Sequence, residues 1–256
     1  MAPYREIYLG PSVVYWLSAS APVSEQEVLG FLHDDDKAYA ESLKSSARRS
    51  EFLRSRWLMA QLHLLPRSLA TRSTDGVPQF AAGHLGSISH KSGQVVIATE
   101  KDRSCSSLGI DLEDTAKAHR GIAEKICTPN ELALLNQLFP EENGQHSLEP
   151  QGPGPRHIPQ WNIGLCTIFS FKEALFKAHY ALGRTMFYFH DAEVTELPKL
   201  SPGSNIWDGT IRGKTLVTTS PLTHAGSTVS GWCRGLDNTG SATESPDFVL
   251  TLVGVP

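Results

Sequence analysis

The sequence predicts an α+β protein built as two halves that meet near residues 100–106. The order of elements carries that expectation: an opening strand, two helices and a strand come before residue 100. A strand, two helices and a series of short β-type runs follow residue 106. A chain of 256 residues is long enough for one large domain or two modest ones with a real core. The expected partition is 1–105 and 106–256, with a loop at 140–160, and neither half repeats the other in sequence.

The elements follow in order. Val13, Val14, Tyr15, Trp16 and Leu17 form an apolar β-type run. Residues 24–43 read as a helix, with Ser24 as cap and Glu27 three positions on. Within it His33-Asp34-Asp35-Asp36 resembles a metal run but reads as a solvated helix end. Residues 46–65 are a stronger helix, with Phe52, Leu53, Trp57, Met59, Ala60 and Leu64 near helical spacing and Pro66 as its stop. A glycine-punctuated stretch follows, with Asp75-Gly76-Val77-Pro78, then Gly83 and Gly86-Ser87-Ile88-Ser89-His90. Strands are expected at 94–99 and 108–113. Residues 122–139 are helical, and Thr128-Pro129-Asn130-Glu131 starts the main part. Residues 140–160, rich in Pro, Gly, Glu and Gln and without periodicity, read as a loop. A further helix is expected from Ser170 to about Leu182, ended by Gly183, and β-type runs at 187–189, 215–219, 229–232 and 248–253.

Composition narrows the function classes. With 40% hydrophobic and 20% charged residues the chain has the make-up of a soluble globular protein. A net charge of −4 argues against a general nucleic-acid binder. It hides a local excess: Lys44, Arg48, Arg49, Arg54, Arg56, Arg67 and Arg72 are opposed only by Glu51, a patch that attracts an anion. Cys105, Cys127, Cys166 and Cys233 have no CxxC spacing and read as reduced thiols in a cytoplasmic protein. The apolar stretch at 7–23 is interrupted by Gly10 and Pro11 and reads as a strand rather than a signal peptide. No segment approaches the ~20 apolar residues of a membrane span.

Two separated segments carry the chemistry. In Gly109-Ile110-Asp111-Leu112-Glu113 alternation sends Leu108, Ile110 and Leu112 to one face and Gly109, Asp111 and Glu113 to the other. Side chains two positions apart emerge ~6.6 Å from each other, a spacing that suits carboxylates sharing a hydrated divalent cation. Alone, the same pattern is also that of a strand with a solvated acidic face. In Phe169-Ser170-Phe171-Lys172-Glu173-Ala174-Leu175-Phe176-Lys177 the buried face is Phe171, Ala174, Leu175 and Ala178. Glu173 and Lys177 lie opposite, either as chemistry or as an i,i+4 surface pair, and Ser170-x-x-Glu173 also has the form of a capping box.

Together the segments resemble the paired signatures of the 4′-phosphopantetheinyl transferases of the surfactin-synthetase type, G-I-D-x-E and W/F-S-x-K-E-x-x-x-K. The branch containing the enterobactin synthetase component is the nearest in pattern. Its R-R-x-E-F/Y element is matched by Arg48-Arg49-Ser50-Glu51-Phe52, with Arg54 and Arg56 following. Its G-x-P … G-S-I-S-H element is matched by Gly76-Val77-Pro78 … Gly86-Ser87-Ile88-Ser89-His90, and Phe187-Tyr188-Phe189-His190-Asp191-Ala192 is also similar to the family. Ser55, Ala60, Asp75 and Phe80-Ala81 depart from the branch pattern at positions expected around the adenine and 3′-phosphate.

The resemblance implies a fold of two similar halves related by a pseudo-twofold axis. It implies transfer of phosphopantetheine from coenzyme A to a serine of an apo acyl, peptidyl or aryl carrier protein, releasing 3′,5′-ADP. On that reading Arg48, Arg56, Gly76, Val77, Pro78, Ser89, His90, Asp111, Lys172, Glu173, Lys177 and Phe187 bind coenzyme A. Asp111, Glu113 and Glu173 hold Mg²⁺, Glu173 is the base, and Lys177 stabilises the leaving group. Arg49 and Arg54 stay on a solvated helix face, and Lys91 either assists or lies on the surface. The expected protein is a cytoplasmic monomer with no nucleic-acid or membrane partner, serving fatty-acid, polyketide or nonribosomal-peptide synthesis. Two alternatives remain: a coenzyme A or carrier-protein binding module without turnover, and an unrelated metal-dependent phosphohydrolase. The remaining histidines show no HExxH spacing, and Ser89 lacks the G-x-S-x-G of a nucleophile elbow.

Overall fold

A computed structural model describes residues 2–66, 70–100, 105–140, 158–198, 208–218, 223–243 and 246–255. Most of the expected 140–160 loop, with His146, His157, Arg67 and Thr219, lies outside them. Among the described residues no helix is long and apolar enough to cross a membrane.

Two antiparallel sheets organise the chain. The first has four strands in the order β1-β2-β4-β3, from Arg5–Leu9, Ser12–Leu17, Gln94–Glu100 and Leu85–Lys91. The second has five, in the order β5-β9-β8-β7-β6, from Ser107–Asp114, Phe248–Val255, Thr228–Leu236, Asp208–Thr215 and Ala192–Glu196. Helices α1 (Glu25–Phe31), α2 (Asp34–Ser42) and α3 (Ser46–Gln61) lie with the first sheet. Helices α4 (Arg120–Ile126), α5 (Pro129–Leu138) and α6 (Gln160–Gly183) lie with the second.

A third cluster joins the halves. Ile7, Leu9, Val14, Trp16, Val96 and Ala98 pack on Leu108, Ile110, Leu112, Phe248, Leu250 and Leu252. Along the seam the edge strands β3 and β5 run side by side in the same direction, linked by side chains. Ser87 Oγ accepts from Ile110 N–H (3.1 Å) and Ser89 Oγ from Leu112 N–H (3.3 Å). Because residues two apart share a face, the Ser-x-Ser spacing of β3 matches the N–H spacing of β5. Each serine satisfies an edge donor that would otherwise be buried without a partner.

Several elements differ from expectation. Residues 24–43 form two helices, because Leu32 and His33 are extended and the His33 imidazole caps α2 through Asp35 N–H. Asp36, expected in a solvated turn, is buried and takes both the N–H and the hydroxyl of Thr71 (2.9 and 2.8 Å). The 122–139 helix also divides; its main part, α5, starts at the expected Thr128-Pro129-Asn130-Glu131 signal, where Thr128 and Glu131 form a capping box. Phe187 to Phe189 form no strand; a 3₁₀ turn at Phe189–Asp191 leads into β6.

The largest difference is α6. It begins at Gln160 rather than Ser170, so Ser170 is a mid-helix residue and caps nothing. Its end comes where expected, with Arg184 in the left-handed conformation after Gly183.

Candidate functional site

The acidic face of β5 does not meet solvent; it meets α6. Contact is close enough that a Cβ on Gly109 would lie 1.9 Å from the Ala174 carbonyl oxygen. Only glycine permits that approach, and it sets the height at which α6 side chains reach Asp111 two residues on. The α6 residues turned toward β5 are Cys166, Ser170, Glu173 and Lys177. They fall within about 60° of one another at 3.6 residues per turn.

Asp111 is the centre of the arrangement, with only 3% of its surface exposed. Its Oδ1 accepts from Lys177 Nζ (2.7 Å) and Ser89 Oγ (3.0 Å). Lys177 also donates to Ser89 Oγ (3.0 Å) and the Ile110 carbonyl (2.9 Å). Ser89 thus ties together both edge strands, the aspartate and the lysine. Asp111 Oδ2 is buried and has no hydrogen-bond partner among the described residues. Glu113 forms an ion pair with Lys91. Burial, then the charge of Asp111, pushes the Glu113 carboxyl up to about 7 despite that pair. The same two causes raise Glu173, against the opposing pull of Lys177 and Lys91. Glu173 is half-buried and has no hydrogen bond or ion pair among the described residues.

Of these groups Lys177 lines a cleft of about 360 Å³ on the α6 side of the seam, while Asp111, Glu113 and Glu173 lie outside its lining. Its walls carry Arg56, Arg72, His90 and Lys177, with Tyr39, Phe52, Phe176 and Tyr180 as aromatic surface. Asp75, also in the wall, is engaged by Arg184 from the other half. A concave site with three guanidinium or ammonium groups and its acid already paired attracts an anion. Arg56 is buried, stacks 4.0 Å over the Phe52 ring, and donates to Thr71 Oγ1 (2.7 Å) and Ser55 Oγ (2.8 Å). Burial brings its pKa down to about 10, opposed by Asp36, so the guanidinium remains charged at neutral pH. His90 bonds Glu51 (3.0 Å). Burial first, then Lys177 and Arg56, lowers its pKa, and Glu51 opposes them.

The expected ligands thus divide. Arg56, Gly76, Val77, Pro78, His90 and Lys177 line the cleft. The 73–77 turn is held by Gly76 N–H to Ser73 O (3.0 Å) and Ser73 N–H to Val77 O (2.9 Å), with Gly76 at φ 90°. Arg48 is exposed one helical turn before Phe52 and is outside the lining. Ser89 lies behind the wall in the Asp111–Lys177 network rather than in the cleft.

Two further expected ligands lie outside the lining and are engaged elsewhere. Lys172, expected to contact phosphate, is 1% exposed and gives its protons to Glu131 Oε2 (2.7 Å), Ile126 O (2.9 Å) and Phe189 O (2.7 Å). Phe187, expected beside coenzyme A, is buried against Phe176 and His179. Nor are Arg49 and Arg54 merely solvated: Arg49 holds Glu25 and the Ala40 carbonyl, and Arg54 holds the carbonyls of Ser18 and Ala21. Tyr39, Phe176 and Tyr180 are not expected in the site from the sequence, because they converge from distant segments, and Arg72 is expected only as part of the basic patch. The Arg72 guanidinium lies 4.0 Å over Tyr39.

Among the described residues no three His, Cys, Asp or Glu side chains are gathered as a ready cage for a metal. The donor set nevertheless fits a hard divalent cation. It offers carboxylate oxygens, one of them buried without a partner at Asp111, and two neighbours whose charge burial disfavours.

Residues 107–217, from β5 through β7, match the family model of the 4′-phosphopantetheinyl transferase superfamily. The match includes Asp111, Glu113, Glu173 and Lys177, while Arg56, Arg72 and His90 lie outside it in the N-terminal half. No curated protein matches the chain.

Proposed function

We propose that the protein transfers 4′-phosphopantetheine from coenzyme A to a serine hydroxyl of an apo carrier protein and releases 3′,5′-ADP. The observation that carries this reading is that Lys177, paired with Asp111 and beside Glu173, lines a cationic, aromatic-lined cleft. The superfamily match over the same residues supports it. The cleft's composition suits a nucleotide polyanion, since planar guanidinium groups bind phosphate in a bidentate manner and aromatic rings take a base.

Arg56, Arg72 and His90 bind the phosphates of the nucleotide end. Glu173 accepts the proton of the incoming serine: it sits beside Asp111 and Lys177, has no partner among the described residues, and burial raises its pKa. The serine oxygen forms a bond to the pyrophosphate phosphorus that carries the pantetheine. The bond from that phosphorus to 3′,5′-ADP breaks, and Lys177 stabilises the charge on the departing oxygen. Asp111, Glu113 and Glu173 would hold Mg²⁺, which when bound neutralises charge on the pyrophosphate oxygens. The reading extends to a monomeric cytoplasmic enzyme of the surfactin-synthetase type with two similar halves. Four free cysteines, Cys105, Cys127, Cys166 and Cys233, are consistent with a reducing compartment.

One observation favours a second reading, a coenzyme A or carrier-protein binding module without turnover. Asp111 and Glu113 are each paired with a lysine, and no metal cage is preformed among the described residues. The discriminating experiment is incubation with coenzyme A, Mg²⁺ and a panel of apo carrier proteins, followed by intact mass. A phosphopantetheine-sized gain on a carrier serine is expected, with Glu173→Gln reducing its rate by about 10²–10⁴-fold. Tight coenzyme A binding with no gain across the panel favours the binding module. Normal turnover in Glu173→Gln removes the carboxylate from the mechanism.

A further inference from the structure

Ser170 is a member of the α6 stripe to which the reaction assigns no role. It is fully buried, it lies between Cys166 and Glu173 in the helical stripe that carries Lys177, and its hydroxyl has no hydrogen-bond partner among the described residues. A serine inside a helix normally returns its hydroxyl to the carbonyl four residues back, and Ser170 does not. A second buried oxygen without a partner among the described residues, Asp111 Oδ2, belongs to β5, the strand that packs on α6. The Cys166 thiol, one turn away on the same stripe, has its pKa raised by burial and then by the charges of Glu113 and Asp111. That places the carboxylates across from this stretch of the helix. A buried oxygen without a partner is costly unless a bound group supplies one.

We infer that Ser170 is a positioning residue of the divalent-cation site, its hydroxyl holding a water of the cation's shell while Asp111 Oδ2 faces the cation itself. The inference rests on the metal reading given above and adds a residue to it. A hard divalent cation keeps several of its waters, and such waters need fixed hydroxyl or carbonyl partners. Groups holding the outer part of a metal site typically alter affinity about 10–100-fold when removed.

The test is titration of the full-length protein with Mn²⁺, following the paramagnetic signal of the free ion, with and without coenzyme A. The metal-free thermal midpoint is measured in parallel. Ser170→Ala is expected to weaken Mn²⁺ binding about 10–100-fold. Its metal-free midpoint should equal or exceed that of the wild type, because a buried hydroxyl without a partner has been removed. Wild-type affinity in Ser170→Ala, where the wild type binds Mn²⁺, overturns this inference and leaves the metal reading standing. A midpoint lowered in the metal-free variant also overturns it, since the hydroxyl would then be a packing element. No Mn²⁺ binding by the wild type under either condition overturns the metal reading and this inference with it.

Discussion

Lys172 and Lys177 stand five positions apart on the same helix, and both form ion pairs with a buried carboxylate, yet they belong to different parts of the molecule. At 3.6 residues per turn they point about 140° away from each other. Lys172 points toward α5 and closes on Glu131, which also takes the N–H groups of Thr128 (2.7 Å) and Val194 (2.6 Å). Its pair has side-chain exposures of 1% and 0% and fastens α4, α5 and the turn before β6 to α6. Lys177 points toward β5, its pair with Asp111 opens at 28% of the lysine onto the cleft, and one aspartate oxygen is left over. A closed pair is architecture; an open pair beside an unsatisfied oxygen is a place for a ligand.

The comparison is broken first by removing the closed member. Lys172→Ala leaves Glu131 charged and buried, with an expected loss of about 3–5 kcal/mol in folding stability. Denaturant unfolding measures it, and a loss below about 1 kcal/mol would mean that Lys172 does not fasten the helices. Lys177→Ala should act on the other axis. Transfer should fall about 10²–10³-fold as a charge-stabilising donor is lost, with a smaller change in unfolding midpoint because solvent screens the half-open pair. Equal destabilisation by the two substitutions would erase the distinction.

Gly109→Ala should touch both fates at once but less strongly. The new methyl meets the Ala174 carbonyl, and the helix must move away from β5, an overpacking cost of about 1–3 kcal/mol. Because Glu173 and Lys177 move with the helix, transfer should fall along with the unfolding midpoint. An unfolding curve and a transfer rate both unchanged would show that the close strand–helix approach positions nothing.

What the sequence made legible, and what it hid, follows the same division. The faces of β5 were readable because strand alternation is local, and Leu108, Ile110 and Leu112 are buried on one side as expected. The buried face of α6 was readable for the same reason at helical period. The role of Lys172 was not, since Glu131 lies 41 residues away and no local pattern distinguishes a lysine bound for the interior from one bound for a phosphate. The start of α6 was misplaced because Ser170-x-x-Glu173 has the form of a cap. Local spacing cannot separate a serine that ends a helix from one inside it that faces a strand. The cleft's aromatic wall escaped because Tyr39, Phe52, Phe176 and Tyr180 come from three helices.

The smallest effect tests the comparison through a third residue. Lys177 is among the charges that lower the His90 pKa, after burial, while Lys172 is not. Removing the Lys177 charge should therefore move the His90 titration upward, read from its ring proton by NMR. Lys172→Met should leave it in place. The linked stability change has a definite sign. A histidine whose folded pKa is depressed binds fewer protons folded than unfolded between that pKa and about 6.5. Stability therefore falls as pH drops through that window and is unaffected by His90 above it. In Lys177→Gln the depression is smaller, so the acid-side loss attributable to His90 should shrink, and in His90→Gln it should vanish. An anion in the cleft reverses the preference by favouring the imidazolium, so coenzyme A should raise the His90 pKa in the wild type. If the two lysine variants shift His90 equally, the open and closed pairs are not electrically distinct, and the division between them fails where it is most finely measured.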